Sequence, residues 1–247
     1  MTNALETRNL TKRYRTVPAL HDCSLSLPAG RMAALVGPNG AGKTTLMHLV
    51  TGLLRPTGGR VRVFGDDPTN VTAMARVAYV AQEKPLYDTF TVGELLRLGR
   101  SLNRRWDGAA ARARLAGLGI PLNRRAGRLS GGQQAQVALS LALAKRPDLL
   151  LLDEPLANLD PLGRRAVMDE LRRLVAEDGR TVVLSSHVIA DLAGACDWLV
   201  VLDHGRARLC GDIEALLASH HAPPGAAGWE ELVLAYLSGS GSAAKAA

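Results

Sequence analysis

Lys43 and Thr44 close an eight-residue run, Gly37-Pro38-Asn39-Gly40-Ala41-Gly42-Lys43-Thr44, with the spacing G-x-x-x-x-G-K-[ST]. Glycines at these places let backbone N–H groups curl inward around phosphate oxygens. A lysine there reaches the β- and γ-phosphates of a nucleoside triphosphate, and a threonine hydroxyl can ligate Mg²⁺. Such a loop needs a carboxylate for the metal and usually a base for the attacking water. Leu149-Leu150-Leu151-Leu152-Asp153-Glu154 supplies both. Asp153 is expected to hold Mg²⁺, and Glu154 to orient and deprotonate water.

The elements that must position these groups are legible around them. Met32-Ala33-Ala34-Leu35-Val36 reads as a strand before the loop, and Thr44-Thr45-Leu46-Met47-His48-Leu49-Val50 as a helix after it. Strand, tight loop and helix form the context the motif requires, and the helix N-terminus adds partial positive charge. The four leucines before Asp153 read as a strand buried on both faces of a parallel sheet, with the carboxylates at its ligand-bearing C-terminal end. A second glycine-rich turn, Leu129-Ser130-Gly131-Gly132-Gln133, stands just before another helical pattern.

With these motifs in order, the chain resembles the ATP-binding subunit of ABC transporters over about residues 5–218. The resemblance implies that Gly37, Pro38, Asn39, Gly40, Ala41, Gly42, Lys43, Thr44 and Thr45 contact ATP. It implies that Tyr14 stacks on adenine, with packing at a strand edge as the other reading. Gln82, after Val77-Ala78-Tyr79-Val80, would sense Mg²⁺ and the attacking water in a loop that touches a membrane subunit; the other reading is a solvated loop glutamine. Ser130, Gly131, Gly132 and Gln133 form the family signature, which closes over a triphosphate held by a second copy of the domain. Asn158-Leu159-Asp160 is the dimer-contact loop, and His187, after Thr181-Val182-Val183-Leu184-Ser185, is the γ-phosphate switch or a structural histidine. The metal set would be Thr44, Gln82 and Asp153. His21, His48, His204, His220 and His221 are given no role. The family pattern calls for a basic residue after Gln133; Gln134, Ala135 and Gln136 stand there instead, which lowers the positive charge of that helix and implies weaker closure.

The expected fold is α/β: a P-loop NTPase core with a mixed sheet, an N-terminal antiparallel β layer and a helical subdomain before the signature. One ATP-binding domain is expected over 1–219, with the helical subdomain at about 90–130. Residues 220–247 read as a linker, a short helix at Glu230 to Leu237 and a disordered tail. Strands are expected near 4–9, 22–27 and 60–64. Helices are expected near 43–53, 91–103, 108–118, 131–146, 162–178 and 188–195. Trp198 to Leu202 and Arg206 to Leu209 read as two late strands around the turn His204-Gly205.

At 247 residues and 47% apolar content the chain can bury one core with a subdomain. Three widely spaced cysteines offer neither a disulfide framework nor metal-ligand spacing. No apolar run approaches the ~20 residues needed to span a bilayer, so a cytosolic protein held at the inner face of the membrane by membrane-spanning permease subunits is expected. The net charge of +7 concentrates in Arg97, Arg100, Arg104, Arg105, Arg112, Arg114, Arg124, Arg125 and Arg128. These make either a solvated basic face or a contact with anionic lipid. No aromatic platform accompanies them, so nucleic acid is not expected. ATP and Mg²⁺ are the expected cofactors, and a second copy of the chain, or a paralogous ATPase subunit, the expected partner. Ser185-Ser186-His187 resembles drug and lipid exporters more than importers. An importer ATPase, or a soluble ABC ATPase outside transport, is the alternative.

Overall fold

The computed structural model describes residues 2–83, 86–186, 188–189, 192, 194–221 and 226–238. Two long strands open the chain, β1 (Asn3–Tyr14) and β2 (Val17–Pro28), joined by a tight turn in which Arg15 takes φ 54°. With β4 (Gly58–Val63) they form an antiparallel sheet of order β2-β1-β4. The strands run past the expected 4–9 and 22–27, because pairing from Asn3↔Pro28 to Tyr14↔Val17, with several register shifts, carries even their polar ends.

Beside this layer lies a six-stranded sheet of order β5-β6-β7-β3-β8-β9. Its strands are β3 (Met32–Val36), β5 (Val77–Val80), β6 (Leu149–Asp153), β7 (Thr181–Ser186), β8 (Trp198–Asp203) and β9 (Arg206–Asp212). All neighbours are parallel except the edge pair β8–β9. The four leucines of β6 are nearly inaccessible. Leu149 and Leu151 face the core shared with the N-terminal layer, and Leu150 and Leu152 face the opposite core. An uninterrupted apolar run is what burial on both faces demands.

Helix α1 (Lys43–Val50) fills the space between the two sheets through Leu46, Met47, Leu49 and Val50. Helices α3 (Val92–Leu102), α4 (Gly108–Gly117) and α5 (Gly131–Ala144) enclose a smaller core of Val92, Leu95, Leu96, Leu115 and Val137. The helical subdomain was expected at about 90–130; α5, which starts at Gly131, shares this core. Helix α6 (Pro161–Ala176) covers the far face of the large sheet with Val167, Met168 and Leu171. Two short elements were not expected, α2 (Val71–Arg76) and a 3-10 turn at Ala126–Arg128. Of the helix expected over 188–195, Ile189 stands in a 3-10 turn and Leu192, Gly194 and Ala195 in turns, with Leu192 N–H bonded to Ile189 O and Ala195 N–H to Leu192 O; Ala190, Asp191 and Ala193 lie outside the described residues.

Past α7 (Ile213–Ser219), α8 (Ala226–Leu237) begins earlier than the expected Glu230 and returns to the main core. Trp229, Leu232, Val233 and Tyr236 are buried there with Leu199, Val201 and Ile213. The expected tail from 239 onward, residues 222–225 of the expected linker and His187 lie outside the described residues.

Candidate nucleotide site

The loop between β3 and α1 is shaped by close approach. A Cβ on Gly37 would lie 2.1 Å from the Leu202 carbonyl oxygen, and one on Gly42, at φ 105°, 2.7 Å from that of Ala19. Only glycine fits either place. The loop therefore lies flat on β2 and β8 and turns into α1 with Gly42 as its N-cap. Lys43 folds back, its Nζ donating to the carbonyls of Gly37 at 2.7 Å and Pro38 at 3.1 Å. Burial lowers the pKa of this ammonium, while Glu154 and Asp153 pull it back up.

Asp153, at the end of β6, is held on both oxygens. Thr44 Oγ1 donates to Oδ2 at 2.7 Å and Ser185 Oγ donates to Oδ1 at 2.6 Å. Ser185 in turn accepts the Glu154 N–H at 2.9 Å, so adjacent strands fix the carboxylate pair. Glu154 is 8% exposed and takes φ 51°, which is rare for a residue with a side chain and costs about 1–3 kcal/mol. Its backbone is bent out of the strand direction at the point where its carboxylate meets the cavity.

That cavity has a volume of about 430 Å³. Asn39, Gly40, Ala41, Gly42, Lys43, Thr44 and Thr45 line one side, and Gln82, Asp153 and Glu154 the other. The chain brings together backbone N–H groups, one ammonium and two carboxylates, which suits a polyphosphate. The donors beside it, the Thr44 hydroxyl, the Asp153 carboxylate and the Gln82 amide, are hard oxygens of the kind Mg²⁺ prefers with one or two carboxylates and phosphate. Among the described residues no cluster of three His, Cys, Asp or Glu side chains offers a separate metal cage.

Other expected site residues lie elsewhere. Tyr14 is 46% exposed near the β1–β2 turn, with Lys12 Nζ 5.5 Å from its ring centre, and does not line the cavity. Nor do Ser130, Gly131, Gly132, Gln133 or Asp160. The signature caps α5: Ser130 Oγ accepts from Gln133 N–H, and Gln133 Oε1 accepts from Ser130 N–H. The reciprocal box satisfies two of the free N–H groups there, and Ser130 and Gly131 are exposed at this N-terminus. Asp160 caps α6 through Gly163 N–H at 2.6 Å. Its neighbour Asn158 backs the signature: a Cβ on Gly132 would meet Asn158 O at 3.1 Å. Signature and dimer-contact loop thus share one edge, away from the chain's own cavity.

A basic side chain from another helix packs against α5 behind the signature. Arg114 of α4 donates to both oxygens of Glu170 on α6, to Gln136 O and Oε1, and to Ser140 Oγ, all within 3.1 Å. The guanidinium lies against Gln136, but its charge is already paired with Glu170, so it adds no net positive charge to α5. Sequence reading missed it because the partners are 22 to 56 residues apart and Arg114 looks like its basic neighbours.

Residues 20–157, more than half of the chain, match the family described as ABC transporter. The chain belongs to the ABC transporter family. It is an ATP-binding subunit of that family and an ATPase. The daunorubicin/doxorubicin resistance ATP-binding protein DrrA of Streptomyces peucetius is 36% identical over 231 residues, 89% of this chain and 69% of that protein. The nickel import ATP-binding protein NikO of Rhodobacter capsulatus is 37% identical over 237 residues, 88% of this chain and 92% of that one. Among solved structures, an ATP-binding subunit of an ABC transporter superposes with a TM-score of 0.83 at 28% identity, covering 94% of this chain and 99% of that chain. The cassette MJ0796, in a dimeric post-hydrolysis state bound to ADP and Pi, superposes with a TM-score of 0.76 at 25% identity, covering 85% and 98%. This ABC ATPase has no helix, among the described residues, long and apolar enough to cross a membrane.

Proposed function

We propose that two copies of this ABC ATPase close around two ATP molecules and drive export of a substrate through separate membrane-spanning permease subunits, at the inner face of the cell membrane. One observation carries the shared site: the signature and Asp160 lie outside the cavity that holds Lys43, Thr44, Asp153 and Glu154. The cavity of one copy and the exposed N-terminus of α5 of the other complement each other across an isologous interface. Ser130 and Gly132 of one copy then meet the γ-phosphate bound by Lys43 of the other; the similarity to the dimeric MJ0796 cassette supports pairing of two copies. Tyr14 stacks on adenine at the rim, and His187 meets the γ-phosphate.

Glu154 accepts the proton of the attacking water, and Gln82 orients that water. Thr44, Asp153 and Gln82 would hold Mg²⁺, which would supply positive charge beside the phosphates. The permease fits a groove of about 660 Å³ between α3 and the core, lined by Leu53, Met74, Tyr87, Leu98 and Leu102. Tyr87 is 62% and Leu102 73% exposed there, an apolar patch of the kind that marks a partner surface. Leu86 lines the same groove and packs against the helical subdomain's own core. The basic stretch supports lipid contact less than its composition does, since Arg114 turns inward and Arg105 pairs with Asp148. Ser185-Ser186-His187 and the similarity to DrrA support export; the similarity to NikO is what favours import as the second reading.

The test uses inside-out vesicles holding this chain and its co-purified permease, with ATP and daunorubicin outside. ATP-driven accumulation of the drug in the lumen is expected. ATP-driven release of preloaded solute, with no accumulation, overturns the export reading.

A further inference from the structure

Two cavities of this molecule share a wall, and three polar side chains cross it. His48 of α1 and Tyr79 of β5 line the 660 Å³ groove, while Asp153 and Thr44 line the nucleotide cavity. Tyr79 Oη lies 3.3 Å from Asp153 Oδ2 and 3.3 Å from His48 Nε2. The imidazole meets the phenol ring edge-on, with ring centres 5.4 Å apart. Tyr79 is half-buried, and burial together with the Asp153 carboxylate raises its pKa, so the phenol keeps its proton.

A phenol has one proton to donate and two neighbours able to accept it. The carboxylate is the stronger acceptor. Donation to Asp153 requires that His48 supply its own Nε2–H to the phenol oxygen, giving a chain in which every bond points toward the nucleotide cavity. The opposite imidazole tautomer would take the phenol proton and leave Asp153 Oδ2 with Thr44 alone. Hydrogen bonds aligned in one direction polarise and strengthen one another.

We infer that Tyr79 is a positioning residue for Asp153, and that His48, at the wall of the apolar groove, sets the direction in which Tyr79 donates. This rests on the reading of Asp153 as a metal ligand. Partners that hold a ligating carboxylate typically change metal affinity by about 10–100-fold when removed; a single 3.3 Å bond belongs at the low end.

The test measures Mn²⁺ binding by electron paramagnetic resonance on the full chain with a non-hydrolysable ATP analogue. Analogue binding in EDTA and a thermal melt are recorded beside it. Tyr79→Phe should weaken Mn²⁺ about tenfold and leave metal-free analogue affinity within about twofold. His48→Ala should weaken Mn²⁺ in the same direction, and His48→Gln, whose amide N–H replaces Nε2–H, should restore it. If Asp153→Asn loses Mn²⁺ and Tyr79→Phe does not, the positioning role is wrong and the reading of Asp153 stands. If Asp153→Asn binds Mn²⁺ normally, the metal-ligand reading falls and the inference with it. If Tyr79→Phe unfolds, or weakens the metal-free analogue equally, the His48 pair decides: equal Mn²⁺ affinity in His48→Ala and His48→Gln overturns the inference.

Discussion

At the scale of single residues, the site is a set of groups whose positions are over-determined. Glu154 sits in a left-handed conformation that its neighbours enforce through Ser185. Asp153 is fixed from α1 and β7 at once. Because Glu154→Gln keeps shape and backbone, it isolates the proton transfer. We predict a fall in kcat of at least ~10²-fold, the low end for a positioned base, with ATP affinity unchanged. The stalled protein should elute as an ATP-bound dimer in size-exclusion chromatography. Near-normal turnover would remove Glu154 from the role of base.

At the scale of elements, the helical subdomain is tied to the core by more than apolar contact. Arg114 bridges α4 to α6 across α5, with the Arg114 and Glu170 side chains only 15% and 25% exposed. Removing one partner of such a pair leaves the other charge poorly solvated. Arg114→Ala should therefore lower stability by about 2–4 kcal/mol, read as a lower denaturant midpoint. Glu170→Ala should cost less when added to Arg114→Ala than alone. Additive costs would show that the pair is incidental. The nine-arginine stretch was read as one face, yet it divides between solvent, Asp148 and this internal tie. Composition counts charges; it cannot tell which of them turn inward.

At the scale of the whole molecule, the proposed division of the site between copies makes a prediction. Lys43→Ala and Ser130→Arg should each abolish hydrolysis. Mixed one to one and re-associated, they should recover about a quarter of wild-type activity, because half the dimers carry one intact site of two. No recovery with heterodimer present would count against a shared site. A second molecular property is alkaline sensitivity. Burial raises the Cys23 and Cys196 thiols from 9.0 to about 12. The unfolded chain loses those protons first, so above pH 9 each thiol lowers stability by about 1.4 kcal/mol per pH unit. Urea midpoints should fall between pH 9 and 11, and less steeply in Cys23→Ala. At pH 8 native Cys23 should alkylate about 10³-fold more slowly than in the unfolded chain.

The nucleotide loop, the carboxylate pair and the strands carrying them were legible in the sequence because their geometry is local. A glycine spacing fixes a loop, and an apolar tetrad ending in Asp153 and Glu154 fixes a buried strand and its ligand end. The signature was equally legible as a turn, though its Ser130–Gln133 capping box showed only in the structure. What the tertiary structure alone decided joins residues distant in sequence. Arg114 found Glu170, α8 returned Trp229 and Tyr236 to the core, and His48, given no role by its sequence context, came to lie beside Tyr79 and, through it, Asp153. Each depends on where chain segments meet after packing, and side-chain type carries no record of a partner 30 to 75 residues away.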